Sequence, residues 1–312
     1  MKRQAEVICA PGPANGTPPS GEALAPSRAN EDTGCGQAAR PVSRSHLVLI
    51  PSYNSGPLLR STVEAALRVW RPVWVVTDGS TDGSGAEVER LATAEPGLRL
   101  MTHERNRGKG AAVLSGLRAA AQAGFTHVLV MDADGQHPPG CIAEFMRLSA
   151  ENPGAMILGV PTFGPEAPRA RRWGRRLGNW WTNVETLWGG IGDSLFGFRV
   201  YPVTECLRVM ESIRAGRRYD FDTVVAVRLF WAGVRPINRP VPVRYLAREE
   251  GGVSHFRYVR DNVLLTWTHV VLVLGLLARL RGLWHRAGWN AQRQACSAPG
   301  PRHAGSGNVP RM

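Results

Sequence analysis

Cysteine is scarce in this sequence and follows no pairing pattern. The five cysteines (Cys9, Cys35, Cys141, Cys206 and Cys296) are widely spaced, odd in number and never in a C-x-x-C pair. That argues against a disulfide framework or a zinc site and for a reducing compartment. No apolar run follows Lys2 and Arg3, so a secretory signal is not expected. A Walker A motif is absent, and Gly108 and Gly110 are followed by Val113 where the third glycine of a G-x-G-x-x-G fingerprint would stand. A P-loop ATPase and a Rossmann dehydrogenase both lose support. The net charge of +13 comes with no zinc-finger, RNP or basic-zipper signature, so nucleic acid is not an expected partner.

What is present points to a sizeable α/β enzyme. Residues 1–44, rich in Pro, Gly, Ala and Ser, carry five basic and four acidic side chains and are expected to be a disordered tail. Residues 285–312 are expected to be a second, basic tail. The stretch 279–312 holds six Arg and no acid, which suits an anionic membrane surface or a solvated end. Hydrophobic residues make up 43% of the chain, enough for a core between the tails.

From His46 to Val160 the pattern alternates. Strand-like runs at His46–Pro51, Val73–Thr77, Leu98–His103, Thr126–Met131 and Ala155–Val160 are separated by helical spacing at Leu58–Trp70, Gly85–Ala94, Gly110–Ala123 and Pro139–Ala150. Short connections and this alternation predict a mostly parallel, doubly wound sheet. Beyond Val160 the expected order is an Arg- and Trp-rich helix, a strand at Ser194–Tyr201, a helix at Asp222–Trp231 and a strand at Val234–Tyr245. Trp180, Trp181 and Trp188 read as core.

In such sheets ligands sit beyond the carboxyl ends of the strands, and Asp78 and Asp132 stand at two of those ends. Asp132-Ala133-Asp134-Gly135-Gln136-His137-Pro138 follows a buried strand. Two carboxylates at alternate positions can converge there as hard oxygen ligands for Mg²⁺ or Mn²⁺, which in turn bind a diphosphate. In Asp78-Gly79-Ser80-Thr81-Asp82-Gly83-Ser84, Asp78 can accept hydrogen bonds from a base or ribose, whereas Asp82 or Ser84 caps the next helix. Asn106-Arg107-Gly108-Lys109-Gly110 opens a helix, where an anion can be held beside Lys109. Five Arg at 169–176, with only Glu166 near in sequence, are expected either to close over an anion or to form a solvated face.

With Ile50-Pro51-Ser52-Tyr53-Asn54 in front of them, these motifs resemble family 2 glycosyltransferases of the GT-A fold. Later segments are similar to the polyprenyl- and dolichyl-phosphate sugar transferases of that family: Asp193–Tyr201, Tyr219-Asp220-Phe221-Asp222, Val241–Tyr245 and Gly251–Phe256. The resemblance covers about residues 46–262 and implies a catalytic domain at 45–256. It places Pro51, Tyr53 and Asp78 on the nucleotide of a nucleotide-sugar donor, and Asp132, Asp134 and Gln136 around the metal diphosphate. It also turns Arg172, Arg176 and Arg199 toward phosphate groups. The implied reaction is inverting transfer by direct displacement. A phosphate acceptor needs little help from a base; an alcohol requires one, with Asp193 and Asp222 the candidates. Each also has a structural reading: Asp193 fixes the loop after it, and Asp222 caps its helix.

Pro161 and His255 depart from the subgroup pattern, and the Asp193–Tyr201 and Asn179–Thr182 segments also resemble glycosyltransferases found beside aryl-polyene pigment genes. Both observations point toward a lipid acceptor other than a polyprenol. Rival readings are a sugar nucleotidyltransferase and a non-catalytic GT-A-fold binding protein. The loop 51–57 lacks the Arg and Lys that a nucleotidyltransferase needs, and an intact Asp132/Asp134 pair speaks against the second. Finally, Asn262–Ala278 is seventeen residues without a formal charge, about 25 Å as a helix against a hydrocarbon core of about 30 Å. Residues 257–284 are therefore expected to dock on the cytoplasmic side of the cell membrane without crossing it, the alternative being a buried core helix.

Overall fold

The structure, a computed structural model, describes residues 42–163, 169–213, 220–243 and 263–281, with only the backbone at 169–172. The two expected tails and the Gly251–Phe256 segment therefore lie outside the described residues, apart from residues 42–44.

A seven-stranded sheet forms the centre, in the order β3-β2-β1-β4-β6-β5-β7. Strands β1 (His46–Ser52), β2 (Val73–Asp78) and β4 (His127–Val130) are buried along their whole length, as continuous apolar runs covered on both faces must be. They pair in parallel, Val48 opposite Val73 and Leu49 opposite Val130. β3 (Leu98–His103) closes one edge. Helices α1 (Pro57–Leu67), α2 (Ser84–Ala94), α3 (Lys109–Gln122) and α4 (Ile142–Glu151) connect the strands as the alternation predicts. The period-2 geometry of β1 divides the core in two. Leu47 and Leu49 pack with residues of α3, α6 and α7, while Val48 and Ile50 pack with α1 and α4. Gly116 lets α3 close on the sheet, since a Cβ there would lie 2.5 Å from the Leu49 methyl carbons.

The second half departs from simple winding. β6 (Arg199–Pro202) enters antiparallel between β4 and β5 (Ala155–Thr162). It starts later than the expected Ser194, because the Asp193 carboxylate takes the N–H groups of Leu195 and Phe196 and holds that stretch as a loop. The sequence pattern raised no element at 203–212, where the structure has α6 (Val203–Ser212), burying Val203, Cys206, Val209 and Met210. α7 (Phe221–Trp231) precedes β7 (Arg235–Pro242), which pairs with β5 alone. Only an edge strand accommodates Pro236, Pro240 and Pro242 so readily.

Two helices present apolar surface outward. In α5 (Arg169–Glu185) the inward stripe is polar: Thr182 and Glu185 are fully buried and Arg175 and Asn179 bond to the protein. Its outward stripe carries Trp173, Leu177 and Trp180, all more than half exposed. The expectation that Trp180 and Trp188 belong to the core is thus incorrect: polar side chains of α5 take the inward positions in place of Trp180, and Trp188 stands exposed in the left-handed turn (φ 58°) beyond the helix. Trp181 is half-buried, over the His269 ring. α8 (Val263–Arg281) is long and apolar enough to cross a membrane by length and composition. It buries Thr268, His269, Leu272 and Leu276 and exposes Val263, Leu264, Trp267, Val270, Leu274 and Leu277. It is therefore not a buried core helix.

At the amino ends of β1 and β4, His46 and His127 face each other in register and stack at 4.6 Å. His46 is buried beside Ser149. Burial, with help from His127, pulls its pKa from 6.5 to about 4. The folded state thus holds His46 neutral, while the unfolded chain binds a proton below about 6.5. The stability this group permits is complete above that pH and falls as pH drops toward 4, by roughly 3 kcal/mol at full titration. The melting temperature of the wild type should fall faster between pH 6.5 and 4.5 than that of His46→Gln; equal acid slopes would show that His46 does not set the acid limb.

Candidate active site

The carboxyl ends of the parallel strands bring three loops together. After β1, Asn54 (φ 47°) receives its position from β2: its N–H donates to Ser80 Oγ at 3.1 Å, and its side-chain oxygen accepts from Thr81 N–H at 2.8 Å. Asp82 accepts from Gly56 N–H with one oxygen and from Ser84 N–H and Oγ–H with the other, so it ties the first loop to the start of α2. Pro51 is buried in β1 and Tyr53 is partly exposed at the loop.

Asp78 is buried at the end of β2. Its carboxylate accepts the N–H groups of Arg107 (3.0 Å) and Gly108 (2.6 Å) and lies 2.7 Å from His103 Nδ1. In this arrangement its oxygens serve the protein's own donors, and what Asp78 positions is the loop that leads into α3.

That loop delivers Lys109. Its ammonium sits 2.7 Å from Asp132 Oδ1 and 2.7 Å from Asp222 Oδ2. Burial by itself would lower the Lys109 pKa; the two carboxylates outweigh it and raise it. Burial opposes ionisation of Asp132 as well, but Lys109 holds its pKa below the ordinary value. His137 is buried beneath Asp132, against Phe196 and Phe198. Its Nδ1 accepts the Asp132 N–H at 3.0 Å, so Nδ1 carries no proton, in agreement with a pKa lowered by burial. Gly197 lies on top of the pair: a Cβ there would stand 2.7 Å from both Asp132 Oδ2 and Lys109 Nζ. A side chain at this glycine of the Gly-Phe-Arg segment would displace the Asp132 carboxylate or the Lys109 ammonium.

Asp134 turns back to accept the Gln136 N–H at 3.1 Å. Its pKa is raised by burial and by repulsion from Asp132. Two adjacent carboxylates that resist joint ionisation are a donor set a divalent cation would relieve, and hard oxygens suit Mg²⁺ or Mn²⁺. No group of three or more His, Cys, Asp or Glu that could hold a metal exists among the described residues. Asp132 and Asp134 are the residues that would hold a divalent cation, with Gln136 beside them.

The two candidate bases separate clearly. Asp193 is fully enclosed and saturated: Oδ1 accepts from Leu195 N–H, Phe196 N–H and Arg175 at 2.7 Å, and Oδ2 accepts from Asn179. It fixes the loop, and it has no oxygen left for a substrate proton. Asp222 does not cap α7, whose N-cap is Asp220. One of its oxygens meets Lys109, and the other, Oδ1, has no hydrogen-bond partner among the described residues. Arg199, expected to face phosphate, is fully buried. Its guanidinium donates to the carbonyls of Phe196, Asp193 and Asp222 and to Tyr201 Oη. It braces the site from within, because β6 carries it between Val130 and Leu158. Arg176 is exposed over the Trp173 ring, and the Arg172 side chain lies outside the described residues. Arg175, not singled out in the sequence, pairs with Asp193; that partner is eighteen positions away and invisible to local charge reasoning.

A mixed α/β sheet with paired carboxylates, a lysine and a glycine-rich turn at its strand ends defines a nucleotide-sugar-type transferase fold. Solved structures agree. The glucosyl-3-phosphoglycerate synthase of Mycobacterium tuberculosis, in complex with Mn²⁺ and UDP, superposes with a TM-score of 0.52 at 16% identity, covering 75% of this chain and 80% of that one. A mannosyltransferase of Pyrobaculum calidifontis in complex with GDP-Man and Mn²⁺ gives 0.51 at 22% identity, with 76% and 67% covered. The fold is GT-A. The profile of glycosyl transferase family 2 matches residues 47–203, and the chain belongs to that family. It is 30% identical to the polyprenol monophosphomannose synthase of Mycolicibacterium smegmatis over 68% of this chain and 81% of that protein. It is 26% identical to the undecaprenyl-phosphate mannosyltransferase of Micrococcus luteus over 78% and 98%. The aryl-polyene association is not shown by these relatives.

Asp193 and Asp222 should respond oppositely to substitution. Asp193→Ala leaves Arg175 and two buried N–H groups unpaired and should lose about 3 kcal/mol or more of folding stability. Asp222→Asn should change stability by less than about 1.5 kcal/mol while lowering sugar transfer. Chemical denaturation and turnover of both variants check this; an active, stable Asp193→Ala would contradict the assigned role.

Proposed function

We propose that this glycosyltransferase moves a sugar, with inversion, from a nucleotide-sugar donor to the phosphate of a polyprenyl-type lipid on the cytoplasmic face of the cell membrane. The observation that carries the reading is the Asp132–Lys109–Asp222 cluster at the strand ends, with Asp134 beside it. The named relatives support the acceptor class, and together they outweigh the departures at Pro161 and His255.

The chemistry follows from charge. A phosphate oxygen of the acceptor forms a bond to the anomeric carbon as the bond to the donor diphosphate breaks, and the diphosphate departs with the electron pair. A divalent ion held by Asp132 and Asp134 would supply the positive charge that offsets the departing diphosphate. Lys109 adds a fixed cation at the same place, with Gly197 packed closely against it. With a phosphate acceptor already anionic near neutral pH, no general base is required. Asp222, with its unpartnered oxygen, takes the base role only if the acceptor offers a hydroxyl. The basic first loop of a nucleotidyltransferase is lacking at 51–57, and the intact carboxylate pair with its lysine speaks for catalysis over a binding role.

The membrane reading rests on the outward apolar faces of α5 and α8. α8 has 19 residues, about 28 Å of helix, and its buried stripe lies against the protein. The arrangement suits a helix lying in one leaflet, with Arg279 and Arg281 near lipid phosphates. A lipid acceptor would present its head group at that surface.

Two outcomes test these assignments. Asp134→Ala should lower turnover about 100-fold or more and abolish metal-dependent nucleotide binding without unfolding; near-normal turnover of that variant in EDTA would remove the metal role. Trp267→Glu combined with Leu274→Glu, both on the exposed face of α8, should shift the protein from the membrane pellet to the soluble fraction with an unchanged melting temperature. If wild type and double variant fractionate alike, α8 is not the docking surface.

A further inference from the structure

α8 is joined to the catalytic domain by a buried polar contact. His269 Nδ1 lies 2.7 Å from Glu185 Oε1, the Glu185 side chain is fully enclosed, and the His269 ring stacks over Trp181 at 6.1 Å. The second oxygen, Oε2, has no hydrogen-bond partner among the described residues. A carboxyl buried with one oxygen unpaired is costly for packing alone, and an apolar pair of the same shape would hold two helices together at least as well. What the polar pair adds is direction, since it fixes one register of α8 against the last turn of α5.

Ten residues back along α5, about 15 Å on a rigid helix, the same inward stripe reaches the active site. Arg175 and Asn179 hold Asp193, and Asn179 also accepts from Ser194 N–H at 3.0 Å. Asp193 in turn holds the Leu195 and Phe196 N–H groups, which set the turn that lays Gly197 against Asp132 and Lys109. Thr223, next to Asp222, donates to Ser194 O at 3.1 Å. The path from α8 to the diphosphate-binding cluster is therefore continuous through one helix and named hydrogen bonds.

We propose that Glu185 and His269 are a positioning pair that couples the seating of α8 on a lipid bilayer to the geometry of the nucleotide-diphosphate site. This rests on the bilayer as the medium facing α8, as proposed above. A bilayer that orders α8 orders α5 through the pair, and α5 then holds the 193–197 turn in its closed position over Asp132 and Lys109. Linkage makes the effect reciprocal: bound nucleotide strengthens bilayer binding by the factor by which bilayer strengthens nucleotide binding.

The test uses the full chain, with UDP and GDP as probes in Mn²⁺, in the presence and absence of vesicles of phosphatidylethanolamine and phosphatidylglycerol. Wild type should pellet with the vesicles and bind whichever nucleotide it recognises about fivefold or more tightly when they are present. Glu185→Leu combined with His269→Phe, which replaces the pair by apolar packing, should still pellet but lose that gain. Glu185→Gln, which keeps an oxygen for His269 Nδ1–H, should retain it. Hydrogen exchange on the wild type gives a variant-free measure: vesicles should slow exchange in α5 and at Leu195 and Phe196. Pelleting with no change in nucleotide affinity or in exchange at 195–196 would overturn the coupling and leave the membrane reading intact. A double variant that keeps the full gain would overturn it equally. Failure to pellet would overturn the membrane reading and this inference together.

Discussion

Lys109 holds together three parts of the chain that are far apart in sequence. It is the first residue of α3, where a cation meets the positive end of the helix dipole and is locally unfavourable. The cost is offset because Asp132 follows β4 and Asp222 lies in the first turn of α7, and both carboxylates reach the ammonium at 2.7 Å. The loop carrying Lys109 is itself pinned by Asp78 through the Arg107 and Gly108 N–H groups. His137 supports Asp132 from below, and Gly197 closes from above. Lys109 thus draws on carboxylates from two other segments, so the site depends on the whole sheet and not on a single motif.

Around that centre, buried charge is used for framework. Arg199 and Asp193 lie in the segment that resembles the family pattern, yet both spend their hydrogen-bonding capacity on the protein. Arg199 spans three carbonyls and a tyrosine hydroxyl, and Asp193 holds four donors. Such groups cost several kcal/mol to desolvate and persist only when fully satisfied. Their value here is a rigid turn at 193–197, which a substrate-facing arginine or a free base could not provide.

α5 and α8 reverse the usual rule for soluble helices. The polar stripe of α5 is inward, toward Asp193 and His269, and Trp173 and Trp180 face out. Such a helix is at its lowest free energy when its outer face meets an apolar medium. The outward apolar surface is thus built on the helix that holds the active-site turn, and on the membrane reading proposed above docking and catalysis would share a structural element.

The β/α alternation from residue 46 to 160 was legible because period-2 and period-3.6 patterns are local, and the Asp132–Asp134 pair because a strand end and a carboxylate spacing can be read without the fold. The antiparallel entry of β6, the helix at 203–212 and the loop before Arg199 were not legible, since they depend on where Asp193 finds its donors. Nor could sequence decide between Asp193 and Asp222. Both are short acidic side chains beside aromatic residues, and only tertiary contacts show one saturated and the other with an oxygen unpartnered. Sequence likewise assigned Trp180 and Trp188 to the core on average burial, whereas the outcome turned on which face of each segment had hydrogen-bond partners inside. Local pattern determined the elements and brought out the carboxylate pair; long-range partners decided which buried charges are framework and which apolar faces remain open.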